Sequence, residues 1–187
     1  LKKNSSDKEI INTMRSFKIS QIPILNKDKT IDDLKLLQEI ISIKENKEET
    51  IIYMAGGRGS RLKPLTNKTP KPMIKIKGRP ILEHLINNAK KQGFVNILIS
   101  THYLQSKIKN HFKDGKKFNL NIKYLYEKKP LGTAGALSKI KIKDISKTFV
   151  VSNSDILSNI NYVDAIAYHK KNKADITLLT KNFLTKH

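Results

Sequence analysis

Apolar residues near the start of the chain follow the period of a helix and then that of a strand. Ile10, Ile11, Met14 and Phe17 recur at intervals of three and four residues, which places them on one face of an amphipathic helix. In residues 21–25 the isoleucines recur at every second position, as in a strand. These patterns predict one helix followed by one short strand.

A polar turn at residues 26–29 is predicted to lead into a second helix. Thr30 is a suitable N-cap, and Asp32 and Asp33 would interact favourably with the positive end of the helix dipole. Helix, strand and helix together offer little apolar surface. We therefore expect residues 1–43 to lack a core of their own.

The helix, the strand in "SQIPIL" and the polar turn resemble part of a CBS module. The usual glycine and apolar strand after the turn are absent, and "TIDDL" stands in their place. CBS pairs often bind adenosine nucleotides, so the resemblance implies a regulatory role. The alternative, which we favour, is a truncated packing element that binds no ligand.

A charge-dense stretch, "KENKEET" at residues 44–50, has the composition of a linker and divides the chain into two parts. Beyond it, apolar runs typical of strands alternate with amphipathic helical patterns. The predicted strands are residues 50–55, 94–100, 120–127, 147–155 and 174–180, and the predicted helices are residues 79–93, 103–115, a helix starting at 132, and 161–172. We expect the strand at 147–155 to be buried.

Strands separated by helices favour an α/β fold of Rossmann-like type, with a mainly parallel sheet and helices on both faces. In such sheets, ligands bind beyond the carboxyl ends of the strands. The loops that follow the predicted strands are therefore where we expect the functional residues of residues 51–187.

Composition excludes several classes of protein. The 187 residues include no cysteine, which excludes disulfides and thiolate metal sites and is compatible with the cytoplasm, where we expect the protein to act. No apolar run approaches the length that crosses a bilayer, so we predict no membrane partner. Assembly into a homo-oligomer is compatible with the sequence but is not predicted by it.

The formal net charge of +21 invites a nucleic-acid interpretation. Residues 1–48 carry 10 basic and 8 acidic side chains, whereas residues 49–187 carry 27 and 8. The lysines are scattered, with few aromatic residues among them to stack on bases. A polyanionic small ligand, or a lysine-rich solvated surface, explains this charge as well as DNA does. We expect no nucleic-acid partner.

The richest motif, "AGGRGSRLKPLTNKTPKPM" at residues 55–73, follows the first predicted strand of the sheet. Glycines there let backbone N–H groups approach a phosphate without obstruction from Cβ atoms. Arg61 offers a planar fork for phosphate oxygens, and Lys71 is a point charge stiffened by a proline on each side. The glycine spacing matches neither a P-loop nor the dinucleotide-binding fingerprint.

This motif closely resembles the signature of the sugar-phosphate nucleotidylyltransferases. The resemblance continues through "RPILEHLI", "EKKPLGTAGAL" and "VVSNSDIL" in the same order. It implies the nucleotide-diphospho-sugar transferase type of fold. It also implies a reaction in which a nucleoside triphosphate and a sugar 1-phosphate form a nucleotide sugar and release pyrophosphate.

The resemblance also implies roles for individual residues. Arg61 would neutralise the leaving pyrophosphate, and Lys71 would bind near the α-phosphate as catalytic residues. Asp155 would hold Mg²⁺, a hard cation that prefers one or two carboxylates together with phosphate oxygens. The implied nucleotide-binding residues are Ala55, Gly56, Gly57, Arg58, Gly59, Ser60, Glu127, Pro130, Gly132 and Thr133.

Glu127 bears on which base is bound. Related thymidylyl enzymes carry Gln at its position, whereas "EKKPLGTAGAL" resembles the guanylyl branch, which includes mannose-1-phosphate guanylyltransferases. A carboxylate only accepts hydrogen bonds, and guanine offers adjacent N1–H and N2–H₂ donors. We therefore favour GTP as the nucleotide, with mannose or glucosamine 1-phosphate as candidate acceptors. In the alternative interpretation, Glu127 is an exposed residue at the end of a strand.

The sugar side of the site is less complete. Members of the family usually carry a second metal-binding Asp and a second Lys, and neither Asp164 nor Asp175 stands at a matching motif position. The chain also begins with Leu1 rather than Met. We expect a nucleotidyltransferase domain at residues 51–187 that is cut short before the complete sugar-binding half. The alternative function is a nucleotide-binding regulatory subunit without turnover.

Overall fold

The computed structural model describes residues 1, 5–37, 40, 47–129 and 131–180, with only the backbone of Lys8, Thr133 and Ala134. None of the helices in these residues is both long and apolar enough to span a membrane. The elements in chain order are α1 (Asp7–Ser16), β1 (Gln21–Leu25), β2 (Ile31–Leu36), β3 (Lys47–Ala55), β4 (Lys75–Ile76), β5 (Arg79–Pro80), α2 (Ile81–Lys91), β6 (Phe94–Thr101), α3 (Gln105–Phe112), β7 (Asn121–Tyr126), α4 (Gly132–Gly135), β8 (Phe149–Asn153) and α5 (Tyr162–Lys171).

Helix α1 packs on the hairpin formed by β1 and β2 and buries a small apolar cluster. The cluster consists of Ile10, Ile11, Met14, Ile22, Ile24 and Ile40. The expectation that this segment lacks a core is therefore wrong. Phe17 was predicted to join the apolar face, but it follows the last residue of α1 and is 72% exposed.

The predicted helix from Thr30 is wrong, because residues 31–36 form β2, which pairs antiparallel with β1. Both the backbone N–H and the hydroxyl of Thr30 donate to Asp28 Oδ1, at 3.1 and 2.6 Å. Thr30 is thus held in the turn of the hairpin and cannot cap a helix. A strand does follow the turn, although the sequence pattern indicated none, and the CBS resemblance stays a prediction.

Four parallel strands form the central sheet in the order β7-β6-β3-β8. This arrangement confirms the predicted α/β class. Strand β3 begins inside the predicted linker, since Lys47 already pairs with Phe94 of β6. The remainder of the linker, residues 44–46, lies outside the described residues.

The main core lies between one face of the sheet and helices α2, α3 and α5. Alternate residues of the strands, such as Ile51 and Tyr53 of β3, point into it, and the Tyr53 hydroxyl donates to the Leu85 carbonyl at 3.0 Å. Burial raises the pKa of Tyr53 far above its usual range. Ser146, three residues before β8, accepts from the Thr50 N–H through its Oγ at 2.8 Å, which ties the segment that leads into β8 to β3.

Three predictions for the second half of the domain need correction. Strand β8 was predicted to be buried, but it lies at the edge of the described sheet and Val151 is 42% exposed. The predicted strand at 174–180 is not formed, because no described strand lies beside it to share hydrogen bonds. Its Ile176 and Leu178 are 79% and 80% exposed. The helix predicted from residue 132 is α4, which gives way to a 3₁₀ turn at Ala136–Lys139.

Gly115 lies between α3 and β7 and has a φ of +86°, which favours glycine. An alanine Cβ there would lie 2.6 Å from Ile122 Cγ1 and 2.7 Å from the Leu120 carbonyl oxygen. We expect Gly115→Ala to lower the free energy of unfolding by about 2–4 kcal/mol, because the positive φ and the overpacking each cost about 1–2 kcal/mol. Urea denaturation measures this loss.

Gly78→Ala is the matched control. Gly78 has a similar φ of +80°, but no heavy atom lies within 4 Å of an added Cβ. We therefore expect this variant to lose only the conformational term of about 1–2 kcal/mol. Equal losses in the two variants would contradict the close packing around Gly115.

Candidate functional site

The order of the strands creates a crevice at the carboxyl ends of the strands. The chain passes from β3 outward through β6 to β7, and then returns to place β8 on the other side of β3. The loops after β3 and β8 therefore diverge from neighbouring strands. Such a reversal of strand order is where open α/β sheets bind ligands.

The glycine-rich loop leaves the end of β3 and turns at Gly59. Gly59 has a φ of +64°, and a Cβ on it would lie 3.0 Å from both Thr66 Cγ2 and Lys71 Cβ. The buried Thr66 donates its hydroxyl to the Gly59 carbonyl at 2.9 Å. The loop is thus folded back onto the segment that leads to Lys71.

Lys71 opens a 3₁₀ turn at Lys71–Met73, and Pro72 in this turn is buried. The Lys71 ammonium lies 2.5 Å from Asp155 Oδ2. The two side chains are 36% and 28% exposed, so the ion pair faces solvent in part. The sequence motifs that carry these two residues are far apart in the chain, and the fold brings their charges into contact.

Asp155 is the second residue after β8, and Ser154 lies between it and the strand. Ser154 is buried, and its hydroxyl donates to the Met54 carbonyl at 2.7 Å. This bond joins the end of β8 to the end of β3. The Asp155 carboxylate is therefore held beside the glycine-rich loop.

Glu127 is only 5% exposed, which excludes the alternative of an exposed strand-end residue. Its Oε1 accepts from the Ser100 hydroxyl at 2.5 Å, and its Oε2 accepts from the Leu131 N–H at 3.2 Å. A Cβ on Gly56 would come within 2.7 Å of Oε1, so the glycine permits this close approach. The carboxylate therefore connects β6, the glycine-rich loop and the start of the 131–135 segment.

These groups surround a cleft of about 550 Å³, which is within the usual range for small-ligand pockets. Nine of the predicted site residues line it, together with Met54, Leu62, Pro72, Leu131, Asn153 and Ser154. The nine are Gly56, Gly57, Gly59, Ser60, Arg61, Lys71, Glu127, Gly132 and Asp155. The cleft thus combines bare backbone, two basic side chains and two carboxylates.

Two of the four remaining predicted residues, Ala55 and Arg58, are described by the structure and do not line the cleft. Ala55 is the buried last residue of β3. The Arg58 guanidinium carbon lies 5.9 Å from the centre of the Tyr103 ring. Pro130 lies outside the described residues, and so does the side chain of Thr133, whose backbone belongs to α4.

Sequence reasoning missed several polar residues that support the cleft. Thr66, Ser100 and Ser154 are all buried, and each donates its hydroxyl to a residue of the site or to the strand end beneath it. A buried polar group requires a partner. A serine or threonine next to an apolar run was therefore the available signal, particularly for Ser100 in β6.

The described residues contain no cluster of three or more histidine and carboxylate side chains that could hold a metal ion by themselves. Two carboxylates line the cleft, and each oxygen of Glu127 already accepts a hydrogen bond, so Asp155 is the candidate metal ligand. A divalent cation here would need oxygen ligands from a bound substrate. Phosphates supply such ligands to Mg²⁺ in many enzymes.

Comparison with known proteins agrees with this geometry. The chain is 35% identical over 127 residues to a mannose-1-phosphate guanylyltransferase of Mycobacterium tuberculosis, covering 68% of the chain and 35% of that protein. It is 34% identical over 141 residues to a UTP–glucose-1-phosphate uridylyltransferase of Synechocystis, covering 70% and 36%. The chain thus spans about a third of the length of these curated relatives.

A solved structure, HddC from Yersinia pseudotuberculosis complexed with GMP-PN, superposes with a TM-score of 0.57 at 31% identity. The match covers 65% of this chain and 54% of that one. The nucleotidyl transferase family model matches residues 49–184, which include every strand of the central sheet except the first two residues of β3. The chain therefore belongs to the nucleotidyl transferase family.

Proposed function

We propose that the cleft binds a nucleoside triphosphate and that the protein transfers its nucleoside monophosphate to a sugar 1-phosphate, with release of pyrophosphate. One observation carries this proposal: the glycine-rich loop, Lys71 and Asp155 meet in one cleft at the strand-order reversal. Relatives named as guanylyl- and uridylyltransferases of sugar 1-phosphates support it. The chain covers only part of their length, so the complete reaction is a proposal.

The proposed reaction needs no nucleophile from the protein. A phosphate oxygen of the sugar 1-phosphate attacks the α-phosphorus and forms the new P–O bond, while the bond to the β-phosphate oxygen breaks. Pyrophosphate leaves with the bonding electron pair. Catalysis then consists of holding the reactants in line and stabilising charge, which are the tasks that positioned cationic and N–H groups perform.

The described residues divide these tasks by position. Backbone N–H groups at Gly56, Gly57 and Gly59 would bind phosphate oxygens, since no side chain there obstructs them. Arg61 would neutralise the pyrophosphate that leaves. Lys71 would bind the α-phosphate, where charge changes during the transfer. Ser60 and Gly132 complete the proposed contacts along the cleft.

Asp155 would hold a divalent cation, with Mg²⁺ as the proposed ion. Its carboxylate is a hard ligand that lies beside the proposed phosphate positions, and phosphate oxygens would supply further ligands. The bound cation would offset the negative charge of the triphosphate. In the structure the Asp155 carboxylate forms an ion pair with the Lys71 ammonium. A phosphate that takes Lys71 as its partner would therefore free Asp155.

Glu127 supports guanine as the preferred base. Its two oxygens have accepted one protein hydrogen bond each, and a carboxylate oxygen can accept a second. Guanine offers N1–H and N2–H₂ donors side by side, whereas uracil and thymine would present carbonyl oxygens to the same carboxylate. The relatives include guanylyl and uridylyl enzymes at similar identity, so Glu127 is the basis of this preference.

A binding and turnover experiment tests the proposal. Equilibrium dialysis measures binding of the four nucleoside triphosphates to the chain in Mg²⁺, and a coupled assay measures pyrophosphate release with mannose, glucosamine or glucose 1-phosphate. We expect GTP to bind most tightly and to release pyrophosphate with one of the sugars. Binding without release would overturn the transferase and support the nucleotide-binding subunit. A protein that binds no nucleotide would overturn both.

Lys71→Ala tests the proposed catalytic cation. We expect pyrophosphate release to slow at least about a hundredfold, because loss of a positioned donor to developing charge typically costs this much. Stability should change by no more than about 1 kcal/mol, since the ion pair with Asp155 is partly exposed. Lys75→Ala is the control. Lys75 is an exposed residue of β4 that does not line the cleft, so this variant removes the same charge nearby. Unchanged turnover in Lys71→Ala would reject the role of Lys71.

Glu127→Gln tests the proposed base preference. The carbonyl of the introduced glutamine can still accept from the Leu131 N–H, and its amide can donate to Ser100 Oγ, so the local structure should persist. We expect GTP affinity to fall about tenfold to hundredfold, because a hydrogen bond to a charged group is lost. UTP should bind relatively better. Dialysis against all four triphosphates measures both changes, and an unaltered order of affinities would contradict base reading by Glu127.

A further inference from the structure

The connection between β6 and α3 holds the loop that carries the proposed phosphate contacts. The Tyr103 hydroxyl lies 2.8 Å from the Asn67 carbonyl oxygen and 3.2 Å from that of Thr66, so its single proton is shared between them. One turn further along, the Lys107 ammonium donates to the Lys68 carbonyl. Tyr103 and Lys107 together therefore contact three consecutive carbonyl groups, those of residues 66–68.

The clamped segment, residues 66–68, joins the two parts of the proposed phosphate site. At its start, the Thr66 hydroxyl donates to the Gly59 carbonyl and the Thr66 methyl group packs beneath Gly59. Three residues beyond its end stands Lys71. The position of this segment therefore sets the distance between the glycine-rich loop and the Lys71 ammonium.

Tyr103 also contacts the glycine-rich loop from a second direction. The Arg58 guanidinium lies 5.9 Å from the centre of the Tyr103 ring, within reach of a cation–π interaction. Arg58 stands between Gly57 and Gly59, two residues that line the cleft. Tyr103 itself does not line the cleft. It therefore touches the loop and its returning segment without reaching the proposed ligand.

We propose that Tyr103 is a positioning residue that orders the phosphate-binding loop before the nucleotide arrives. The inference rests on the proposed nucleotide site and deepens it. Residues 56–71 contain no strand and only short 3₁₀ turns, so the sheet does not fix their backbone. Ordering such a segment on binding costs conformational entropy and lowers affinity. A hydroxyl and a ring that hold the segment in advance remove part of that cost.

Tyr103→Phe tests the hydroxyl, because it keeps the ring beneath Arg58. We expect the dissociation constant for the nucleoside triphosphate to rise about fivefold to tenfold, as for the loss of one hydrogen bond. Amide hydrogen exchange in residues 59–71 should accelerate in the ligand-free protein. Any turnover should show a raised KM with little change in kcat. Tyr103→Leu removes the ring as well and should weaken binding further.

Tyr124→Phe is the matched control. Like the Tyr103 hydroxyl, the Tyr124 hydroxyl donates to a backbone carbonyl oxygen, here that of Lys113 at 2.7 Å, and Tyr124 does not line the cleft. We expect a similar small loss of stability, with nucleotide affinity and exchange in residues 59–71 unchanged. Equal behaviour of Tyr103→Phe and Tyr124→Phe in these two measurements would overturn the proposal.

The two measurements separate this inference from the proposed function. In one outcome, Tyr103→Phe exchanges faster in residues 59–71, but even the wild-type chain binds no nucleotide. This outcome would reject the nucleotide site and, with it, a role for Tyr103 in preparing the loop for that ligand, although Tyr103 would still order the loop. Nucleotide binding by the wild-type chain with no loss in Tyr103→Phe would leave the proposed function standing and reject the role of Tyr103.

Discussion

Parallel pairing of β3 with β6 on one side and β8 on the other is the constraint on which the whole site depends. Ala55 pairs with Thr101, and Met54 pairs with Asn153, so the three strands end at the same level. The loops that follow β3 and β8 carry most of the residues that line the cleft, including Lys71 and Asp155. A shift of one residue in the pairing of β3 with β8 would move the loop after β8 by about 3.3 Å relative to the loop after β3. That displacement would separate Lys71 from Asp155, whose charged atoms are 2.5 Å apart.

Beyond the strand ends, the backbone is held by side chains instead of ladder hydrogen bonds. The hydroxyls of Thr66, Tyr103 and Ser154 each donate to a backbone carbonyl of the loop or of the strand below it. Most of these supports come from neighbouring elements and not from the loop itself. The loop can therefore remain rich in glycine, with its N–H groups open to a ligand, while its path is still defined.

Structural features that depend on the local sequence pattern could be predicted, whereas features that depend on contacts with residues distant in the chain could not. Apolar runs such as residues 50–55, which alternate along the chain with amphipathic helical patterns, predicted the sheet, and motif order predicted most of the residues that line the cleft. The supposed helix cap at Thr30 failed because Asp28 takes its hydroxyl in a hairpin turn. Residues 174–180 have the pattern of a strand but no described neighbour to pair with. The contact of Tyr103 with the loop could not be predicted from the sequence, because only the folded loop brings the carbonyls of Thr66 and Asn67 close to its hydroxyl.

Glu127 illustrates how recognition and architecture can share one side chain. Its carboxylate is buried against Gly56 and bonded to Ser100 and to the Leu131 N–H, so it organises the wall of the cleft before any base binds. A buried acceptor left without donors, or donors left without it, would cost free energy. Any change of base preference through this position must therefore preserve the hydrogen bonds of the wall. A glutamine preserves them because its amide both donates and accepts, whereas a smaller or apolar residue would alter the base contact and the loop together.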